Sequence, residues 1–420
     1  MKAAILAIGD ELLGGRCQDT NSTWLAGHCV KLGVPLLETR SVGDDPTQIV
    51  NALRSLLDQV DVVFTTGGLG PTRDDLTRES LANLLGESLE QDGDAGQWLE
   101  AFFNERGLEM GASQRRLATR PESGTCYRNH VGTAPSIHAK ALSGDIWLLP
   151  GPPAEMRDAW TRHVDPWLRD QLGGIPVIES VNLKCFGLIE ASFEERLGEF
   201  TSRDHRPLLG TRVSRDEFLL HVDPAGASDQ AMQSCVAECK RRLHPWEFGM
   251  GQDTLQSVVG ALLRDRGETL ATAESCTGGW IGSSIVDIPG SSGWYAGGWI
   301  VYSNQMKQNQ LGIASNLLED HGAVSDLVVQ SLAESAARIA DSQWGLSVSG
   351  IAGPEGGTAS KPVGTVWIGC HGPGISVERC FQLGTDRMRI RRRAVSMSLQ
   401  LLRWCLLGED PMTPTSWDMP

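Results

Sequence analysis

The stretch DVVFTTGGLG, residues 61–70, restricts what this chain can fold into more than any other. Its apolar run is continuous rather than alternating, so the strand it predicts is buried on both faces. Strands of that kind belong to parallel sheets covered by helices. Glycines stop the run, and DDLTRESLANLLG, residues 74–86, follows with two acids at its start and a glycine at its end, which are helix signals. The neighbouring segments repeat the alternation. AAILAIG reads as a first strand, residues 20–33 as a helix ended by Gly33, TQIVNALRSLLDQV as a helix, and DIWLLPGPPAEM as a strand leading through a Pro/Gly turn into a helix. Strand–helix alternation with buried strands predicts a doubly wound α/β domain over residues 1–172.

The pattern changes after residue 172. VIESVNLKCFG, EASFEERLGEF and DEFLLHVDP predict short strands with a helix or two, a small α+β module over 173–245, and HPWEFGMGQDTLQ reads as a linker. A second α/β pattern runs over 251–408. It comprises a helix at 253–266, TLATAES as strand, a helix from 277, GWYAGGWIVYS as strand, a helix near 325–341, WGLSVSGIAG and GTVWIGCHG as strands, and a last helix at 386–407. The end of the chain, GEDPMTPTSWDMP, has three prolines and no periodicity, so 409–420 is expected to be disordered. A length of 420 residues accommodates this number of cores.

With 37 Lys plus Arg against 52 Asp plus Glu, the formal charge is −15. That argues against duplex nucleic acid or an anionic membrane as the main partner, since both are bound through basic surface. It leaves small phosphorylated ligands open, because backbone N–H groups and a few cations suffice for them. No apolar run approaches the roughly 18 residues of a membrane span. The apolar part of MKAAILAIGDELLGG is too short for a signal sequence, so a cytoplasmic protein is expected. The ten cysteines contain no C-x-x-C pair and read as reduced structural thiols rather than a zinc site.

Two stretches carry candidate chemistry. TTGGLGPTRDDLT, residues 65–77, is a strand, a glycine-rich turn and a helix start, the arrangement that holds a phosphate on backbone N–H groups and a helix dipole. Gly67, Gly68, Gly70, Thr72 and Arg73 are the candidate phosphate ligands. The turn is neither a dinucleotide G-x-G-x-x-G nor a P-loop. Asp74 and Asp75 suit a divalent cation bridging to phosphates, or else merely cap the helix. Asp10 and Asp44 lie at other strand-to-helix junctions, which face the same edge of a doubly wound sheet.

ATAESCTGGWIGSSIV, residues 271–286, is the second stretch. Either Ser275 or Thr277 caps a helix there, or Ser275 is a nucleophile presented at the positive end of that helix. Amide cleavage would need a proton relay and an oxyanion site beside it. His321 is the one histidine in the surrounding motifs, so a Ser-His-Asp triad is not evident. Lys307 is the better base if desolvation lowers its pKa, with Tyr302 relaying the proton or holding the lysine. The turn GIAGPEGGT, residues 350–358, would bring further backbone donors.

In order along the chain, AIGDELLGG, DTNSTWLA, SVGDD, TTGGLGPTRDDLT, VGTAPS and LLPGPPAEM resemble the N-terminal domain of the CinA (competence/damage-inducible) family. ATAESCTGG, VYSNQMK, HGAVS, VSGIAGPEGGT, KPVGTVWIG and GTDRMRIR resemble its C-terminal domain, with Ser349 standing where Thr is common. For the first half the resemblance implies a molybdopterin-binding-like (MoaB/Mog-like) fold and metal-dependent ADP-ribose pyrophosphatase activity, with Asp10, Asp44, Asp74 and Asp75 as metal ligands. For the second half it implies deamidation of nicotinamide mononucleotide (pyridine nucleotide salvage) without a cofactor. The catalytic set is then Ser275, Tyr302 and Lys307, and the substrate contacts are Glu274, Thr277, Gly278, Asn304, Ser349, Gly350, Gly353 and Arg389, the last as phosphate partner. A homodimer is expected, and the small connecting module is the family's middle domain. Two other readings compete. YSN and KPVGT are similar to motifs of the penicillin-recognising enzymes, but Ser-x-x-Lys is absent at Ser275. A non-catalytic competence-related or molybdopterin-binding adaptor would release no ammonia from the nucleotide.

Overall fold

The computed structural model describes residues 1–141, 144–173, 178–214 and 217–419. Contacts divide the chain into two units, Met1–Ser180 and Val181–Pro420.

In the first unit the sheet runs in the order Leu36–Val42, Ala3–Ile8, Val62–Thr66, Gly144–Leu149, Ser136–Ala141, Thr125–Tyr127. The first four strands are parallel and the last two pair antiparallel. The first strand is buried at every position, as a continuous apolar run requires. Ala4, Leu6 and Ile8 enter one core with Ile49, Leu53, Leu56 and Leu81, and Ala3 and Ile5 enter the other with Leu25, Cys29, Met156 and Leu168. Helices therefore cover both faces, the doubly wound arrangement expected from the alternation. A fully buried Leu or Ile contributes roughly 1.5–3 kcal/mol, so each face is a substantial part of the unit's stability.

Two helix starts differ from expectation. The helix after the glycine turn spans Thr77–Leu85, so Asp74 and Asp75 precede it instead of occupying its first turn. The helix after Ser275 spans Trp280–Val286, with Gly279 as its N-cap, so neither Ser275 nor Thr277 caps it.

The second unit joins two sheets. Leu208–Ser214, Glu217–Asp223, Val181–Cys185 and Glu247–Met250 form an antiparallel four-stranded sheet. The other sheet has the order Tyr295–Ile300, Leu270–Glu274, Trp344–Gly350, Thr365–Gly372, Ile375–Gln382, parallel across the first three strands and antiparallel across the last two. The strand Ile375–Gln382 has no counterpart in the sequence reading, because its alternating half-buried pattern lacks a continuous apolar run.

The small module is no separate body in this division. The last long helix, Arg387–Leu407, reaches it directly: Arg403 donates to the carbonyls of Pro245 and Glu247 at 3.0 and 2.6 Å, and Trp404 Nε1 to Pro245 at 2.9 Å. The expected linker at 244–256 thus contains a strand and helix-anchoring carbonyls. Of the residues expected to open the module, 174–177 lie outside the described residues.

The segment 409–419 is not disordered; Pro420 lies outside the described residues. Arg379, only 4% exposed, donates to the carbonyls of Pro411 and Thr413 at 2.7 and 2.9 Å and pairs with Asp418. Trp246 Nε1 donates to Pro414 at 2.8 Å, and the Gln382 N–H to Trp417 at 2.7 Å. A buried guanidinium needs acceptors, and the tail supplies them. Proline content hid this, since the tail is held by carbonyls and a carboxylate rather than by a repeating pattern.

Candidate active site

Ser275 stands one residue beyond the strand Leu270–Glu274, and its N–H donates to the Val348 carbonyl at 3.0 Å. The pairing of Ala273 with Ser347 and Glu274 with Val348 sets Ser275 beside Ser349 at the carboxyl edge of the sheet. The next residues form a tight turn in which the Gly278 N–H donates to the Ser275 carbonyl at 3.1 Å. Gly278 and Gly279 follow at φ +63° and +90°, and two consecutive left-handed residues are costly for anything but glycine. The Glu274 carboxylate reaches across the turn and accepts the N–H groups of Ile281 and Gly282 at 3.0 and 2.8 Å. Glu274 thus satisfies two free N–H groups at the start of the helix Trp280–Val286 and holds the turn.

Lys307 arrives from the opposite side. Ser303 caps the helix Asn304–Leu311 by accepting the Met306 N–H at 3.2 Å, and Lys307 lies in its second turn. Side chains there tilt back toward the helix start, which directs Lys307 at the end of the neighbouring strand. It is 1% exposed. Its Nζ lies 2.9 Å from the Val301 carbonyl, 3.4 Å from that of Tyr302 and 3.3 Å from Ser275 Oγ. Among the described residues no carboxylate pairs with it. Burial lowers its pKa, opposed only weakly by Cys276. A neutral amine has two hydrogens and one lone pair. Val301, Tyr302 and Ser275 are the hydrogen-bond partners of Lys307, and in the neutral form the lone pair is available to the serine hydroxyl.

The other expected residues divide. Thr277 is fully buried, and its hydroxyl has no partner among the described residues. Ser349 spends its hydrogen on the Ala323 carbonyl at 2.6 Å. The Tyr302 side chain is 63% exposed, and it is the Tyr302 carbonyl that meets Lys307; its hydroxyl lies 3.5 Å from Arg387 Nη2. Asn304 is exposed, and Gly350 closes against Val366. Gly353, at φ +76°, accepts Arg387 Nη1 at 2.6 Å. Arg389 is exposed, with its N–H accepted by Asp386 at 2.8 Å.

Sequence reasoning missed two arginines of the same motif. Arg387 bridges Tyr302 to the glycine turn at Gly353, and Arg391 donates to the carbonyls of Cys276 and Thr277 at 3.0 and 2.8 Å. Residues i and i+4 share a helix face, and a residue two positions on points elsewhere. A helix beginning at Arg387, capped by Asp386, was the signal that places 387 and 391 on one face.

In the first unit the edge of the sheet gathers the glycine turn and acids as expected, but uses them differently. Gly67 adopts φ +106°, and a Cβ there would stand 2.1 Å from the Ile8 carbonyl oxygen. The N–H groups of Gly68, Leu69 and Gly70 donate to no main-chain carbonyl among the described residues, so the turn keeps donors for an anion. Asp75 accepts the Thr72 N–H at 2.9 Å and the Thr72 hydroxyl. Buried Arg78 holds the Leu69 and Gly70 carbonyls at 2.7 and 2.9 Å, while Arg73 is exposed. Asp10 and Asp44 accept each other's N–H groups at 3.0 and 3.2 Å. Partial burial raises the Asp44 pKa, with repulsion from Asp10, Glu11 and Asp74 adding to it. Among the described residues no three His, Cys, Asp or Glu side chains are grouped to hold a metal. As folded, Asp75 closes its own turn, and Asp10 and Asp44 brace two junctions.

No described helix is long and apolar enough to cross a membrane. Residues 4–170 match the family described as "Probable molybdopterin binding domain", and residues 252–406 the "CinA C-terminal domain". A CinA-like protein of Nostoc sp. is 36% identical over 97% of this chain and 100% of its own length. A CinA-like protein of Synechococcus elongatus is 37% identical over 97% of this chain and 98% of its own. The crystal structure of a CinA protein from Thermoplasma acidophilum covers 39% of this chain and 96% of its own, at 30% identity and a TM-score of 0.37.

Proposed function

This chain belongs to the CinA family, and on that premise we propose that its second unit is a serine amidohydrolase that deamidates nicotinamide mononucleotide. The observation that carries the reading is the buried Lys307 amine 3.3 Å from Ser275 Oγ, held also by the carbonyls of Val301 and Tyr302. The substrate comes from the motif resemblance. Ser275 Oγ attacks the carbamoyl carbon and passes its proton to Lys307 Nζ, and the carbonyl oxygen becomes an oxyanion beside the N–H groups of the turn. Collapse of the adduct expels ammonia, which takes the proton from Lys307. Water then attacks the acyl ester, gives its proton to Lys307, and Ser275 leaves by taking it back. The sum is amide plus water to acid plus ammonia. Tyr302 supplies a carbonyl that orients the base, and Arg387 offers a charge at the rim for the nucleotide phosphate.

For the first unit the geometry supports a narrower reading: an anion held by the open N–H groups of residues 68–70. The amidohydrolase reading is tested by incubating the purified chain with nicotinamide mononucleotide, with and without chelator, and measuring ammonia and nicotinate mononucleotide. Equal amounts of both, insensitive to chelation, are expected; no ammonia from folded protein refutes it.

A further inference from the structure

Arg391 hydrogen-bonds to neither Ser275 nor Lys307, yet it grips the turn that follows Ser275. Its Nε donates to the Cys276 carbonyl at 3.0 Å and its Nη2 to the Thr277 carbonyl at 2.8 Å. The guanidinium lies over the Trp280 ring at 4.0 Å, so it is held from below as well. Among the described residues it pairs with no carboxylate, which leaves its charge directed at the two carbonyls.

In a planar trans peptide the C=O of one residue and the N–H of the next point in opposite directions. Holding the Cys276 carbonyl on one side therefore turns the Thr277 N–H to the other. Holding the Thr277 carbonyl fixes the Gly278 N–H, which is consumed by the Ser275 carbonyl at 3.1 Å. That same bond turns the Cys276 N–H away from the Ser275 carbonyl. The N–H groups of Cys276 and Thr277 donate to no main-chain carbonyl among the described residues. Two glycines follow, at φ +63° and +90°, so the turn has little stiffness of its own on that side. An arginine fork supplies it, with two donors in fixed geometry that a lysine cannot reproduce.

We infer that Arg391 is a positioning residue that aims the N–H groups of Cys276 and Thr277 at the oxyanion formed on Ser275. The inference rests on the amidohydrolase reading. It separates Arg391 from Arg387, which sits four residues earlier on the same helix face and meets Tyr302 and Gly353 instead.

The experiment uses the full chain as wild type, Arg391→Ala and Arg391→Lys. Losing oxyanion donors costs about 10²–10³ in kcat, so Arg391→Ala should lose that much while KM for nicotinamide mononucleotide changes less than about threefold. Arg391→Lys keeps the charge but not the fork and should stay at least about tenfold down in kcat. Pyridine-3-boronic acid, which forms a tetrahedral adduct on a serine, provides a readout that loosened packing alone would not single out. Its affinity should fall in step with kcat, whereas affinity for nicotinate mononucleotide, the planar product, should hold. Equal losses for boronate and product, or normal kcat in a folded Arg391→Ala, overturn the inference while the reaction stands. A wild-type chain that releases no ammonia overturns both.

Discussion

Replacing Lys307 by Met keeps an unbranched side chain of similar length and removes only the amine. The amine's three contacts set the expected size of the effect. One faces Ser275 Oγ at 3.3 Å, and the loss of a general base there lowers kcat by about 10²–10⁴. The other two, at 2.9 and 3.4 Å, go to the carbonyls of Val301 and Tyr302. Leaving those acceptors without a donor costs about 1–3 kcal/mol each, and removing a buried amine returns part of that. The net loss of stability should stay below about 3 kcal/mol, small enough for the variant to remain folded. KM should move less than about threefold, because Nζ faces the nucleophile and two carbonyls rather than the rim.

The pH dependence has a definite sign. Burial holds the folded-state pKa of Lys307 below the 10.5 of an exposed lysine. Below the folded value the amine is protonated and cannot accept the serine proton, so the wild-type rate rises with pH along a limb centred under 10.5. Between the folded and unfolded values the unfolded chain binds more protons, so stability also rises with pH through that window. Lys307→Met should flatten both. Steady-state kinetics and thermal melting across pH, run on both proteins, read these quantities together. A folded Lys307→Met variant that keeps its kcat, or keeps the same pH limb, would place the base elsewhere.

Other perturbations have equally direct readouts. Arg387→Ala should raise KM for nicotinamide mononucleotide by about 10–100-fold, the range of a lost charge-assisted bond, and leave KM for the phosphate-free riboside nearly unchanged; equal effects on both would remove the phosphate role. Truncation after residue 410 deprives buried Arg379 of the Pro411 and Thr413 carbonyls and of Asp418, and should cost about 1–3 kcal/mol in urea unfolding. A fragment of 251–410 should for the same reason, and for the loss of the acceptors of Arg403 and Trp404, melt well below one of 181–420; equal melting would make the small module an independent body after all. Gly67→Ala forces a Cβ to 2.1 Å from the Ile8 carbonyl oxygen at φ +106°. It should destabilise the chain by about 2–4 kcal/mol without changing kcat for deamidation in protein that remains folded.

Much of the fold was legible because the central strands of the two largest sheets are buried throughout and bounded by glycine and helix signals. DVVFTTGG and TLATAES could hardly be anything but buried strands, and the edges they define hold the candidate sites. What was hidden lacked such periodicity. The edge strand Ile375–Gln382 alternates weakly, and the tail is fastened by a buried arginine that a local pattern does not announce. Ser275 and Lys307 were legible as residue types, and their partnership follows from a register and a helix direction that spacing alone does not give. The role of the aspartates was not legible, because an acid at a strand-to-helix junction serves equally to brace the turn, as Asp75 does for Thr72 and Asp10 for Asp44. Arg389 was chosen from the motif GTDRMRIR, and the start of the helix adds Arg387 and Arg391, which share a face that meets Gly353, Cys276 and Thr277.

The central claim is that Ser275 is acylated by the carbamoyl carbon of a pyridine nucleotide with release of ammonia. Its most direct test is a rapid-quench reaction of the full chain with nicotinamide mononucleotide, followed by intact-mass and peptide analysis. The account predicts one nicotinoyl nucleotide attached at Ser275, matched by one equivalent of ammonia before steady state, and neither in Ser275→Ala. Ammonia released by a folded Ser275→Ala chain at the wild-type rate would contradict it.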